Sequence, residues 1–132
     1  MKVMALDHGR ARTGVAVSDP AGVIVRPLPA IAEVGTPAGQ AALDALIAEE
    51  APERIIVGDP ILMSGESGAQ SRAARSFAGR LRSRVAPPVE LYDERLTTAE
   101  ARRRRAESGS GSDLDSLAAC ILLEAAMAAG RS

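Results

Sequence analysis

Four short segments hold the residues best suited to chemistry: Ala5-Leu6-Asp7-His8-Gly9, Val57-Gly58-Asp59-Pro60, Tyr92-Asp93-Glu94-Arg95 and Leu114-Asp115-Ser116-Leu117. Each sets a carboxylate at the edge of an apolar run. In the first three the run reads as a strand with the acid at its carboxyl end; in the fourth the acid opens a helix. Open α/β sheets build their sites at the carboxyl ends of parallel strands. Acids gathered there from distant positions suit Mg2+ or Mn2+, hard cations that take oxygen ligands. Phosphoryl chemistry is the commonest use of such an ion.

The elements that must position these acids follow from periodicity and turn residues. Lys2 to Leu6 reads as a strand, Gly14 to Ser18 as a second, and Val23 to Arg26, extending toward Ile31, as a third. The connections are short and rich in turn formers (Asp19-Pro20-Ala21-Gly22), so these strands form antiparallel hairpins. Thr36 is an N-cap with Pro37 at the first helical position, and Leu43, Leu46 and Ile47 follow at helical spacing up to Ala51-Pro52. Arg54 to Val57 is a buried strand, Gly58 to Gly68 a loop, and Ser71 to Arg84 a helix with Ala74, Phe77, Ala78 and Leu81 inward. After Pro87-Pro88, Val89 to Tyr92 is the last strand. Thr97 and Glu100 form a capping box for another helix. Glu107 to Ser112 reads as flexible. A final helix runs from about Asp113 to Ala129 with a stripe of Leu114, Leu117, Ala118, Ile121, Leu122 and Ala125.

The expected fold class is therefore α/β: one domain spanning residues 1–132, with a five-stranded mixed sheet and helices on both faces. Three antiparallel strands precede two parallel crossovers, whose right-handedness makes the first, fourth and fifth strands neighbours. That topology alone collects Asp7, Asp59 and Asp93/Glu94 on one rim.

Composition narrows the function classes. Aromatics are 2% of the chain, Phe77 and Tyr92, which excludes a base-stacking platform. Net charge is −1 and the pI near 5.9, so global charge does not advertise a nucleic-acid binder. The distribution says more. Lys2 is the only lysine among 16 basic residues, the rest being arginine. Arg72, Arg75, Arg80, Arg82 and Arg84 fall in a stretch without acids, and Arg102 to Arg105 are consecutive. A basic surface beside an acidic pocket is compatible with this segregation, as are helices carrying solvated arginines. Cys120, the only cysteine, sits in an apolar helical stretch, so neither a disulfide framework nor a thiolate cluster is expected. No signal peptide or membrane span is legible, and a cytoplasmic location is the expectation.

The acids differ in specificity. Asp7 could simply cap the turn at Gly9, but acids at matching positions favour a shared site. Asp93 and Glu94 are consecutive on a strand end and point oppositely, so at most one reaches the pocket directly. The other can bond backbone groups or pair with Arg95, a surface contact worth at most about 1 kcal/mol. Asp115 fits a capping box with Ser112, yet shares a face with Ala118 and Leu122 and can project toward the rim. Asp59 in Gly-Asp-Pro reads as turn stabilisation. His8 should point to the side opposite Asp7.

These blocks resemble the YqgF/RuvX family of pre-16S ribosomal RNA nucleases, also described as Holliday-junction resolvase-like proteins. The similarity lies in Ala5 to Asp19, Val25-Arg26-Pro27-Leu28, Ile56 to Pro60 with Met63-Ser64-Gly65, Asp93 to Ala101 and Asp115 to Ala119, in order along the chain. It implies an RNase H-like fold and a metal-dependent phosphodiesterase. By position, Asp7, Glu94 and Asp115 would be the catalytic, metal-binding acids, with Asp93 nearby. Two-metal hydrolysis would have Asp7 bridge both ions while Glu94 and Asp115 each hold one side. Two departures stand out. Asp59 occupies a place usually apolar in the family's Gly-Leu-Pro turn, and the segment before Asp115 is Gly/Ser-rich where relatives often carry basic residues.

The expected activity is processing of the 5′ end of precursor 16S ribosomal RNA, with Arg12, Arg95, Arg72 and Arg75 contacting phosphates. The expected partners are RNA or structured DNA and no membrane, the chain being a monomer or weak homodimer. Alternatives are Holliday-junction resolution, and a ribosome-assembly factor that binds without cutting. An ATPase of the actin and sugar-kinase type would need two such domains, and 132 residues supply one.

Overall fold

A computed structural model of the chain describes residues 1–62, 64–96 and 116–130, with the side chains of Leu96 and Gly130 left aside. The order is β1 (Val3–His8), β2 (Arg12–Ser18), β3 (Val25–Ala32), α1 (Pro37–Glu50), β4 (Arg54–Asp59), α2 (Ala69–Arg82), β5 (Val89–Asp93), a 3-10 turn (Glu94–Leu96) and α3 (Leu117–Gly130). The strands form one sheet of order β3-β2-β1-β4-β5. β1–β2 and β2–β3 pair antiparallel, β1–β4 and β4–β5 parallel. The mixed topology expected from the connection lengths is what forms.

Alternation along each strand divides the core in two. Met4, Leu6, Val15, Val17, Ile55 and Val57 face α1 and α2. Val3, Ala5, Ala16 and Ile56 face α3. Helices therefore cover both faces, which parallel strands require. The inward faces of α1 and α2 are those expected, with Leu43 and Ile47 on one, and Ala74, Phe77, Ala78 and Leu81 on the other. Thr36 caps α1, its Oγ1 accepting from the Gly39 N–H at 3.1 Å.

Several boundaries and one helix face differ from expectation, among them β2, which starts at Arg12, and α2, which spans Ala69–Arg82. β1 runs to His8 and β4 to Asp59, so Asp7 and Asp59 are strand residues rather than turn residues. β3 begins at Val25; Val23 and Ile24 are 66% and 65% exposed. The cause is the Asp19 carboxylate, whose Oδ1 accepts from the N–H groups of Val23 at 2.7 Å and Ile24 at 3.0 Å, holding both in the turn. In α3 the buried residues are Ala119, Cys120, Leu122 and Leu123, whereas Ala118 is exposed. The helix is apolar nearly all round, so its stripe was ambiguous, and Ser116 sets its rotation. The buried Ser116 hydroxyl donates to the Leu28 carbonyl at 2.6 Å and accepts from the Val15 N–H at 3.0 Å. It enters where the β2–β3 register shifts between Thr13 and Val15. The expected helix from Thr97, the Glu107–Ser112 segment and Asp115 lie outside the described residues.

β3 is an edge strand carrying Pro27 and Pro29. Among the described residues no helix is long and apolar enough to cross a membrane.

Candidate active site

β1, β4 and β5 end together at the carboxyl rim. Leu6 is in register with Val57, and Gly58 with Tyr92, so Asp7 and Gly58 lie one step further along adjacent strands. By alternation both address the face that carries α3. Immediately beyond β5, Glu94 folds its side chain over Gly58, where a Cβ would collide with the Glu94 Oε1. A strand glycine is the usual sign of such a close approach. Asp7 and Glu94 line one cavity of about 960 Å3, together with His8, Arg10, Gln70 and Arg80.

Asp93 does not join them. It is in register with Asp59, on the opposite face from Gly58 and Tyr92. Its Oδ2 accepts from the Arg95 Nη2 at 2.7 Å, and its Oδ1 from the Arg95 backbone N–H at 2.9 Å. The second bond is an Asx turn that fixes the backbone around Glu94. Hydrogen bonding by the Arg95 guanidinium holds the Asp93 carboxyl below its ordinary range. The choice left open by strand alternation thus falls on Glu94, with Asp93 holding the turn that presents it.

Asp59 is 3% exposed and also structural in position. It accepts from the Ser71 hydroxyl and from the Arg75 Nε at 2.9 Å, tying β4 to α2. A buried carboxylate needs such partners, and here both come from one helix. His8 points away from Asp7, as expected, and stacks on Phe77 with ring centroids 4.6 Å apart and planes 10° off parallel. Its Nδ1 is buried without a hydrogen-bond partner among the described residues. Burial, reinforced by the Arg80 charge, lowers the His8 pKa.

The four arginines expected to grip substrate have other engagements. Arg95 is held by Asp93, Arg75 by Asp59, and Arg72 donates to the Ser67 carbonyl at 3.0 Å. Arg12 opens β2 opposite Ala32. None of the four lines the cavity; Arg10 and Arg80 do. The sequence placed Arg80 in an arginine-bearing helix without singling it out, and did not single out Arg10. Arg80 shared a stretch of sequence with four other arginines, and periodicity does not say which of them the cavity takes in.

No three metal-ligating side chains gather among the described residues, and Asp115 lies outside them. Asp7 and Glu94 nonetheless fit a hard divalent cation. They supply oxygen donors from two elements, and Gly58 leaves the space that the second carboxylate occupies.

Comparison with known proteins gives a consistent picture. A Thermobifida fusca protein named as a candidate pre-16S rRNA nuclease is 41% identical, covering 94% of this chain and 85% of its own. An Escherichia coli O157:H7 protein of the same name is 40% identical, covering 92% of each. Among solved structures, Thermus thermophilus RuvC in complex with a Holliday junction substrate superposes with a TM-score of 0.60 over 100% of this chain and 96% of its own, at 15% identity. The fowlpox virus Holliday junction resolvase gives 0.58 over 98% and 99%, at 14% identity. These two share the fold, which is the RNase H-like one expected. The family model described as "RuvX: Holliday junction resolvase" matches residues 1–129, and the chain belongs to that family.

Proposed function

We propose that this chain is a divalent-metal-dependent phosphodiester hydrolase acting on structured nucleic acid, and that its substrate is the 5′ end of precursor 16S ribosomal RNA. The observation that carries the reading is the pairing of Asp7 with Glu94 over Gly58 in a rim cavity. The family and the relatives' names support hydrolysis of nucleic acid.

Asp7, Glu94 and Asp115 would hold Mg2+ or Mn2+. Bound there, the ion supplies an activated water and stabilises charge on the leaving oxygen. The chain's own residues do the positioning. Asp7 is held opposite Gly14 of β2, and the preceding Leu6 pairs with Val57 of β4. Glu94 is oriented by the Asp93–Arg95 turn and by contact with Gly58. His8 lines the cavity and is held against α2 by stacking on Phe77.

Holliday-junction cleavage is the second reading, favoured by the family's description and by the junction-bound fold relatives. The relatives at 41% and 40% identity carry the ribosomal RNA name, whereas the junction complex is 15% identical. Symmetric junction cutting also needs two active sites, hence two copies. RNA is therefore preferred.

The deciding experiment offers a precursor 16S RNA end and a four-way DNA junction to the chain with magnesium, manganese or chelator. Metal-dependent cutting of the RNA is expected. Asp7→Asn should abolish it while leaving nucleic-acid binding within about threefold, because phosphate contacts, not this acid, supply affinity. Full activity in Asp7→Asn would refute the site. Cutting of the junction alone would establish the second reading.

A further inference from the structure

The cavity that holds Asp7 and Glu94 does not stop at the acids. It continues around the end of β1 to the α2 side, where Arg10, Arg80 and Gln70 line it together with His8. Asp7 and His8 are consecutive strand residues, so one wall of the cavity is acidic and the adjoining wall basic.

The state of the other arginines makes this wall distinctive. Arg26 pairs with Glu50, Arg54 with Glu90, Arg75 with Asp59, Arg84 with Asp44 and Arg95 with Asp93. Arg72 and Arg82 donate to the carbonyls of Ser67 and Val89. Among the described residues, Arg10 and Arg80 are paired with no carboxylate, and both line this cavity. An arginine pairs readily with any acid within reach, since the fork geometry matches a carboxylate. Two guanidinium groups left over in one cavity are matched to an anion brought from outside. His8 adds shape rather than charge: stacked on Phe77, its ring is a fixed part of the wall.

A polyanion approaching Asp7 and Glu94 meets like charge, so positive charge must stand close by. We propose that Arg10 and Arg80, together with His8, form a phosphate subsite that takes an internal backbone phosphate next to the bond being cut. The strand would cross the end of β1, with the scissile phosphate on the acidic side and its neighbour on the basic side. Bidentate contact from each guanidinium suits a phosphodiester's two unesterified oxygens. This inference rests on the nuclease reading for the neighbouring bond's fate; binding of the phosphate itself requires no cleavage.

The test measures binding in chelator, where nothing is cut. Affinity for a 5′-hydroxyl RNA hairpin is followed by fluorescence anisotropy across a salt series for the native chain, Arg10→Gln, Arg80→Gln and Arg84→Gln. Each cavity variant should weaken binding about three- to tenfold and reduce the slope of log affinity against log salt by about 0.7 to 0.9, one phosphate contact. Arg84, paired with Asp44 outside this cavity, should leave both unchanged. Inorganic phosphate should shift the His8 ring proton resonances of the native chain and do so much less in Arg80→Gln. Unchanged slopes in both cavity variants, or equal losses in Arg84→Gln, would overturn the subsite. A loss that appears only with 5′-phosphorylated RNA would overturn its assignment to an internal phosphate. Should the native chain cut nothing while the slopes fall as stated, the hydrolase reading fails and the subsite stands.

Discussion

Gly58 is the residue on which the acidic site turns. It lies in a strand where a side chain would normally help packing, and the Glu94 carboxylate occupies the space its missing Cβ leaves. Gly58→Ala should therefore push Glu94 aside. The displaced group is the end of a flexible side chain, so the fold should tolerate it. We expect metal-dependent cleavage to fall about 10- to 100-fold, the range for lost support of a metal ligand, with a melting temperature within a few degrees of native. Unaltered cleavage in a folded variant would remove Glu94 from the site. The acids themselves were legible in the sequence because Asp7, Asp93 and Glu94 end apolar strands. What was not legible was which of Asp93 and Glu94 turns inward. Alternation says only that they differ; the deciding facts are the register of β5 on β4 and the Arg95 fork. A glycine inside a β-branched strand was the available clue.

At the level of elements, α3 and the β2–β3 turn show how single polar groups set boundaries that periodicity leaves open. Ser116 satisfies the Leu28 carbonyl and the Val15 N–H at the place where the β2–β3 register shifts. Ser116→Ala leaves both buried groups unpaired, a cost of about 1–3 kcal/mol. The urea midpoint should drop with an unchanged slope; an unmoved midpoint would show that the hydroxyl does not anchor the helix. Asp19 sets the other boundary. Hydrogen bonds from the Ile24 and Val23 N–H groups hold its pKa below the ordinary 3.8. Its folded pKa is depressed, so its stabilising effect is full above 3.8 and is lost as pH falls through the folded value. A carboxyl titration followed by NMR should place Asp19 below that value, and Asp19→Asn should lessen the chain's acid sensitivity there. A midpoint at or above 3.8 would contradict the turn geometry. The expected α3 stripe failed for a related reason. With Ala, Leu and Ile on all sides, 3.6-residue periodicity cannot select a face, and a hydrogen bond from a residue beside the helix does so.

For the molecule as a whole, connection lengths were sufficient to order the strands. Two tight turns force antiparallel pairing and two helix-bearing crossovers force parallel pairing. Charge was less legible. A net charge of −1 conceals a division in which Arg26, Arg54, Arg75, Arg84 and Arg95 are each paired with a carboxylate. The stretch from Arg72 to Arg84, which could have formed a phosphate-binding face, is largely spent on Asp59, Asp44 and backbone carbonyls.

The prolines of β3 bear on a different property. Pro27 and Pro29 each remove an N–H from β3, and Pro27 does so within the paired stretch. A new strand laid along β3 would find carbonyls there without the N–H groups that should accompany them. Growth of a fibril requires two open edges on every molecule, one to receive and one to pass on. The prolines of β3 weaken one of this sheet's two edges for that purpose, and so work against amyloid-like extension.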